Sequence, residues 1–488
     1  MTPTIMAISA AYFALMLGIG LWAARRTRTM SDFFVAGRGV GMVAIALATM
    51  SSAMSGFLFI GGPGIQYQAG FGTLLLTMPA AVSFALAWLL LAKRMKLLAM
   101  ARPLLTVPDA IHARYDSNLA RGLAAVAVLL GVLGYLATQT LAMGVVLARI
   151  FDLSLVWGVS IGVVIVAIYA VGGGMIAGIY TDVVQGAVMV LAALATFALA
   201  LEVGGGMGGM VRSIAADSPD WVGPFGLLEP GVAIGWYLVF ALGILGQPQV
   251  VHKFYMIDEV RKLRWGPLLA AVCAVLASLV WLSVGTAMRA LVAEGAEPLA
   301  QADEAAPRFM LEYAPALLAG VFFAGVAAAS MSTADSFLII GASALVRDLP
   351  LAFGRQPSEA TQFRAGRVVT LLLCVAAGAI ALASGQLVAV LGIFGWGMFA
   401  SSLAPALGLG LNWSRATTAG AVASLLVGII GTLALELNHL FGWVEDPLPA
   451  QLYRSAAVFL LSTLTFIAVS LATPRRAPAA DVARVMAV

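Results

Sequence analysis

A chain of 488 residues with 62% apolar and only 10% charged side chains, and a mean hydropathy of +1.00, is excluded from the soluble globular class. Soluble domains carry roughly 25% charged residues. The net charge of +4 comes from basic residues spread over short inter-helix segments rather than one patch, so no nucleic-acid partner is expected. No run shows the ten-residue alternation of a transmembrane β-barrel, which leaves an all-α polytopic membrane protein. The chain reads as a single membrane domain in a lipid bilayer, with no obligatory protein partner.

An apolar stretch of about 20 residues crosses a bilayer as helix. The predicted spans are 4–24, 40–66, 72–92, 120–149, 155–175, 181–203, 231–251, 267–290, 313–346, 367–384, 387–411, 416–436 and 452–472, thirteen in all. The first has no basic segment before it and is followed by Arg25, Arg26 and Arg28, so it reads as a retained helix and not a cleaved leader. The second contains MSSAMSGFLFIGGPG (50–64), where serines, glycines and a proline weaken the backbone ladder of a spanning segment. The glycine-rich GGGMGG at 204–209 has no Lys-Ser/Thr partner and reads as a flexible outer loop, not a phosphate loop. The seventh span ends in GILGQPQ (243–249), with His252 and Lys253 assigned to the loop that follows. Cys273 and Cys374 fall in apolar runs and read as packing residues.

An odd number of spans puts the termini on opposite sides. With the N-terminus outside, inner segments hold twenty-two of the twenty-seven Lys and Arg residues. Outer ones hold Arg149, Arg212, Arg289, Arg308 and Arg454. Basic residues favour cytoplasmic loops, so the expected topology is N-out, C-in, with 473–488 a cytoplasmic tail.

Two spans look discontinuous, at 50–64 and 243–249. Setting the first helix aside, they are the first and sixth of the next ten. Interrupted segments at matching places in two halves point to a secondary transporter built from inverted repeats. Here the halves would be 40–203 and 231–411, with two further helices over 416–472. The ninth span carries AAASMSTADSFLII (327–340), in which Ala329, Ser332, Thr333 and Ser336 share one helical face. Such a face offers hard oxygen donors suited to a small cation, or simply small residues for helix packing. Asp335 lies in the same span and Asp182 opens another in IYTDVVQG. A carboxylate within a span marks a functional site by default. No Lys or Arg is assigned to the middle of any span.

Six blocks, in order, resemble the sodium/solute symporter family, which includes proline, pantothenate, sialic acid, sugar and monocarboxylate carriers. They are DFFVAGRGVG (32–41), SSAMSGFLFIGGPG (51–64), YAVGGGMIAGIYTDVVQG (169–186), GILGQPQVVHKF (243–254), MSTADSFLI (331–339) and NWSRATTAGAVAS (412–424). They look most similar to the bacterial proline- and pantothenate-type branches. The resemblance implies a leucine-transporter-type core of two inverted five-helix repeats in the bacterial cytoplasmic membrane, and Na⁺-driven uptake of a small organic solute. It also implies Na⁺ ligands: the carbonyls of Ser51, Met54 and Ala329 and the hydroxyls of Ser332 and Thr333. Asp182 falls at an aspartate near the family's sodium exit route, which in some members joins a second sodium site. Asp335 is the other acidic candidate.

Two departures argue against proline as the solute. Proline-type members carry an aspartate where this chain has Ala53, and tryptophan and tyrosine where it has Phe240 and Ile244. The pocket candidates are Ala53, Ser55, Gly56, Gln139, Thr140, Phe240, Ile244, Phe394 and Trp396. The expected solute is an amino acid, monocarboxylate or vitamin-like acid. A proton-coupled carrier using Asp182 or Asp335 is the alternative within this fold. A solute sensor is less favoured, because only residues 473–488 follow the last span. Intramembrane catalysis is not expected: HExxH and GxSxG are absent, and His112, His252 and His439 lie in loops or at helix ends.

Overall fold

The computed structural model describes residues 3–24, 41–385, 387–445, 448 and 451–488. Arg25, Arg26, Arg28, Arg38 and nearly all of the DFFVAGRGVG block lie outside the described residues, as do the side chains of 169–177. Among the described residues the regular elements are all helical. Ten helices are long and apolar enough to cross a membrane, or eleven if one bent pair is a single span.

In chain order, α1 is Pro3–Ala24 and α2 is Met42–Ala53. After a break, a π turn at Phe57–Gly61 enters α3, Gly62–Ala69. Then come α4, Pro79–Ala87, and α5, Lys93–Ala101, joined through a second π turn. They are followed by α6, Val107–Tyr115, and α7, Asn118–Phe151. The predicted spans 155–175 and 181–203 form one continuous helix, α8, Leu155–Val203. Its 49 residues rise about 74 Å at 1.5 Å each, more than twice a hydrocarbon core of about 30 Å, so it holds two crossings' worth of helix. The GGGMGG stretch is not a loop throughout. α9, Gly206–Asp217, begins within it, because Met210 and Ile214 sit one turn apart and are both buried.

α10, Pro230–Gly243, tightens into a 3₁₀ turn and stops before Gln247. The chain resumes as α11, Pro248–Val251, and runs on to Tyr255, bent by 43°. The rest comprises α12 (Gly266–Ala293), α13 (Ala305–Tyr313) and α14 (Ala316–Ser343). After these come α15 (Glu359–Ala383), α16 (Val388–Leu403), α17 (Thr418–Phe441), α18 (Gln451–Ala472) and a short α19 (Ala480–Met486). Side-chain caps start several of them: Ser117 accepts from the Ala120 N–H, Ser358 from Thr361 and Thr417 from Gly420.

α14 and α16 are almost wholly buried. They form the centre, α14 packed on α7 and α8 and α16 on α7, α17 and α18, while Leu89, Leu317, Leu372 and Leu464 face outward, as lipid contact requires.

The loops sort into two faces. On one, Arg347 pairs with Asp109 at 2.8 Å and with Asp348 at 2.8 Å, and Arg114 donates to the carbonyls of Gly410 and Ala416. On the other, Arg149 pairs with Glu304, Arg289 with Asp217, and Arg308 with Glu312. Arg347–Asp109, Arg149–Glu304 and Arg289–Asp217 each join two segments assigned to the same side by their basic content, while Arg347–Asp348 and Arg308–Glu312 lie within one segment. On the second face Asp303 is buried and accepts from the Val388 N–H at 2.8 Å, capping α16. Burial pushes its carboxyl up to about 6.

The tail docks on the inner-loop face. Arg102 grips Asp481 by two bonds of 2.6 and 3.0 Å, and Val482 and Val485 are buried. The guanidinium holds the Asp481 carboxyl down at about 2, from 3.8. A depressed carboxyl supplies its docking free energy above its free value and loses it as pH falls through the docked one. A spin label at Ala487 is therefore expected to gain mobility as pH drops from about 4 to about 2. It should already be mobile at pH 7 in Asp481→Asn; immobile spectra under both conditions reject the docking.

Candidate functional site

The last four carbonyls of a helix have no partner within it, and in lipid no water replaces one. α2 ends at Met54, whose φ of −88° and ψ of 84° leave the helical region. Met50 O accepts from the Met54 N–H at 2.8 Å. The next two carbonyls are met from α14. Ser332 Oγ lies 2.9 Å from Ser51 O and 3.1 Å from Ala329 O, and Thr333 Oγ1 donates to Ser52 O at 3.1 Å. Across the break, the Gly56 N–H donates to Gln139 Oε1 of α7 at 2.9 Å. Glycine is required at position 56: an added Cβ would sit 2.6 Å from both the Ala142 Cβ and Ser330 Oγ.

One turn back along α2 the cluster becomes ionic. Lys253 Nζ donates to Ala48 O at 2.6 Å, to Asp182 Oδ2 at 2.7 Å and to the Ser52 hydroxyl. Ser52 Oγ in turn donates to Asp182 Oδ2 at 3.1 Å and lies 3.0 Å from Ser336 Oγ. Lys253 and Asp182 are each 1% exposed. Asp335, also buried, has both as its charged neighbours. Lys253 therefore corrects the expectation that no basic residue enters the core. The bend at Gln247 carries 248–255 inward, and the apolar neighbours in VVHKFYMI bury it. Those neighbours were the available sequence signal. His252, next to it, is buried too, with Nε2 2.8 Å from Leu105 O.

On the other side of the break is a cavity with an aromatic wall. Phe240 stacks on Trp396 at 4.8 Å and on Phe57 at 6.2 Å, and Trp281 meets Phe57 edge-on at 5.2 Å. Ala53, Met54, Tyr135, Phe84 and the hydroxyl residues Thr77, Ser83 and Ser278 also line it, and among the described residues no charged side chain does.

Five of the sequence-predicted residues thus meet at one place: Ser51, Ala329, Ser332, Thr333 and Asp182, with Met54 between that cluster and the cavity. Of the pocket candidates, Ala53, Phe240 and Trp396 line the cavity. Ser55 and Gly56 form the break, the Ser55 hydroxyl accepting from the Phe57 N–H at 3.2 Å. Gln139 ties the break rather than facing the cavity. Thr140 bonds back to Leu136 O and Ala137 O within α7. Ile244 is buried in the turn after α10, and Phe394 packs against Gly134 of α7.

A helical membrane protein with two broken helices meeting at a buried oxygen cluster beside a cavity belongs to the class of secondary carriers. Residues 33–428 match the Sodium:solute symporter family. The chain is 27% identical to the osmoregulated proline transporter OpuE of Bacillus subtilis, over 96% of this chain and 94% of that one. It is 25% identical to the sodium/pantothenate symporter of Escherichia coli, over 92% and 94% of the two chains. Its fold is similar to that of a Na⁺-coupled sialic acid symporter solved in a substrate-bound outward-open state. The TM-score is 0.78 at 18% identity, covering 98% of this chain and 99% of that one. The chain belongs to the sodium:solute symporter family, and is a transporter rather than an enzyme.

The Gln139 contact is open to direct measurement. Gln139→Leu leaves the Gly56 N–H buried without an acceptor, a loss of roughly 1–3 kcal/mol. Thermal unfolding of the purified protein in detergent should show it, while Thr140→Val, which removes only an intrahelical bond, should change little.

Proposed function

We propose that this chain carries a small organic solute into the cell together with Na⁺, by alternating access. The ion would bind between the break after α2 and the face of α14. The observation that carries this reading is that Ser332 Oγ meets Ser51 O and Ala329 O at that break, while Thr333 Oγ1, the next residue, meets Ser52 O. The donors are oxygens only, which suits a hard cation, and the two hydroxyls can turn their protons away to present lone pairs. Met54, on the cavity side, would add its carbonyl. Asp182 and Asp335 lie on the side of the inner-loop face and would attract the ion as it leaves.

The solute would occupy the aromatic cavity. Ala53 and Met54 line it and also flank the ion cluster, so filling either site orders the same two turns of backbone. Each ligand then raises the other's affinity by the same factor. The wall suits a solute with an apolar body, and its polar end would meet the hydroxyl residues Thr77 and Ser278, which line the cavity. An amino acid, a monocarboxylate or a vitamin-like acid fits that description.

Two inverted repeats over 40–203 and 231–411, N-out and C-in in a bacterial cytoplasmic membrane, complete the reading. The sorting of ion pairs onto two faces supports the topology. The inner face would open by releasing the Arg347–Asp109 and Lys253–Asp182 pairs.

The test is uptake into proteoliposomes, after a thermal-shift screen of amino acids, short carboxylates and vitamins with and without Na⁺ has identified a solute. An inward Na⁺ gradient should drive uptake. Ser332→Ala/Thr333→Ala should raise the Na⁺ concentration for half-maximal uptake at least about ten-fold, the equivalent of about 1.4 kcal/mol. Uptake driven by a pH gradient without Na⁺ would overturn sodium coupling in favour of protons on Asp182 or Asp335.

A further inference from the structure

Lys253 does more in this structure than close a salt bridge. Its ammonium has three protons, and the three acceptors around it are Ala48 O, Asp182 Oδ2 and Ser52 Oγ. An ammonium has three donors and no acceptor, so the group is saturated. The acceptors are a backbone carbonyl, a carboxylate and a hydroxyl, the same donor types that would hold an alkali cation. The cradle is also continuous with the cluster at the break. Ser52 belongs to both: its carbonyl accepts from Thr333, and its hydroxyl bonds Lys253, Asp182 and Ser336.

Charge then limits what else can bind. The charged neighbours of Asp335 are Asp182 and Lys253, and those of Lys253 are Asp182 and Asp335. With both carboxylates ionised, the two and one ammonium would leave a single negative charge, which is costly to bury unpaired and which a proton or one monovalent cation removes. Asp182 Oδ1 is buried and has no hydrogen-bond partner among the described residues, so one carboxylate oxygen of the group is still open.

We propose that the Lys253 ammonium is a tethered cation that fills a second ion position one turn along α2 from the break, so that this chain binds one mobile Na⁺ per solute and not two. The inference rests on the sodium reading above and adds a count to it. Lys253 is here a positioning residue that sets the number of ions; the mobile Na⁺ remains at the break.

The experiment counts ions without needing the solute. Radiolabelled Na⁺ binding to the purified full chain, in choline-balanced buffer, should saturate at one ion per chain with a Hill coefficient of one. Lys253→Met empties the cradle and should bind a second Na⁺, with a coefficient above one. Lys253→Arg keeps the charge and should bind one. If Lys253→Met does not fold, Asp182→Asn provides the second arm. There Lys253 alone balances Asp335, and Na⁺ affinity should fall at least ten-fold. Two ions bound by the unaltered chain would overturn the tethered cation while leaving sodium coupling intact. So would one ion in a folded Lys253→Met, or unchanged affinity in Asp182→Asn. Absence of Na⁺ binding to the unaltered chain would instead overturn both readings.

Discussion

The organisation of this protein depends on one constraint: a helix that stops inside a membrane must have its end groups satisfied by protein. α2 stops at Ala53, and the surrounding architecture answers for the groups it releases. Ser332 and Thr333 reach Ser51 O and Ser52 O, and Gln139 takes the Gly56 N–H. These contacts fix the rotation of α14 and α7 about their own axes, because only one face of each carries the needed group. They also explain why α14 is buried along nearly its whole length. A helix that supplies hydroxyls to a break in the middle of the bundle cannot also face lipid. The break is therefore an organising centre rather than a defect in packing, and the same oxygen atoms that need partners are available to a cation.

Charge adds a second requirement on top of the first. His252 and Lys253 are consecutive, and they point to different partners: His252 to Leu105 O, at the base of α6, and Lys253 to α2 and Asp182. The segment 248–255 is thus tied at adjacent residues to an inner-face loop and to the cluster at the break. A rigid-body movement of that segment disturbs both. Nearby, Tyr255 donates to Thr106 O and Thr106 Oγ1 to Asp348, which brings the Arg347 ion pairs into the same connected set. Under the proposed sodium reading, coupling of ion binding to that loop would need no long pathway: it would pass through two neighbouring side chains on one broken helix.

Much of this was legible in the sequence, and the reasons differ by residue. The breaks were visible because Gly, Ser and Pro cluster in otherwise apolar runs, and the Ala329/Ser332/Thr333 face because helical spacing alone aligns it. Lys253 was not legible by the same route. A lysine just after a Gly-Gln-Pro break looks like the first residue of a loop, and only tertiary bending turns it inward. Gln139 reads from sequence as a pocket candidate, but its partner, a backbone N–H at the break after α2, leaves no trace in sequence. Thr140, beside it, spends its hydroxyl on its own helix, a use that spacing does not separate from ligand binding. The join within α8 was not legible because so long an apolar run reads as two spans, 155–175 and 181–203, while helix continues between them.

Ala53 and Lys253 belong to one electrostatic argument. Ala53 lines the cavity at the end of α2, one residue from Ser52, whose hydroxyl holds Lys253 and Asp182. A carboxylate at position 53, as the proline-type resemblance would have it, would place a third negative charge beside Asp182 and Asp335. With only one ammonium present, neutrality would then demand a further cation or a positively charged group on the solute. Alanine removes that demand. The cavity can remain apolar, walled by Phe57, Phe240 and Trp396, and under the proposed reading one ion at the break would match the remaining negative charge. The solute need not supply a positive charge of its own, which widens the candidate class from zwitterions to plain acids and neutral molecules. Solute selection and ion number thereby follow from the same small set of buried charges.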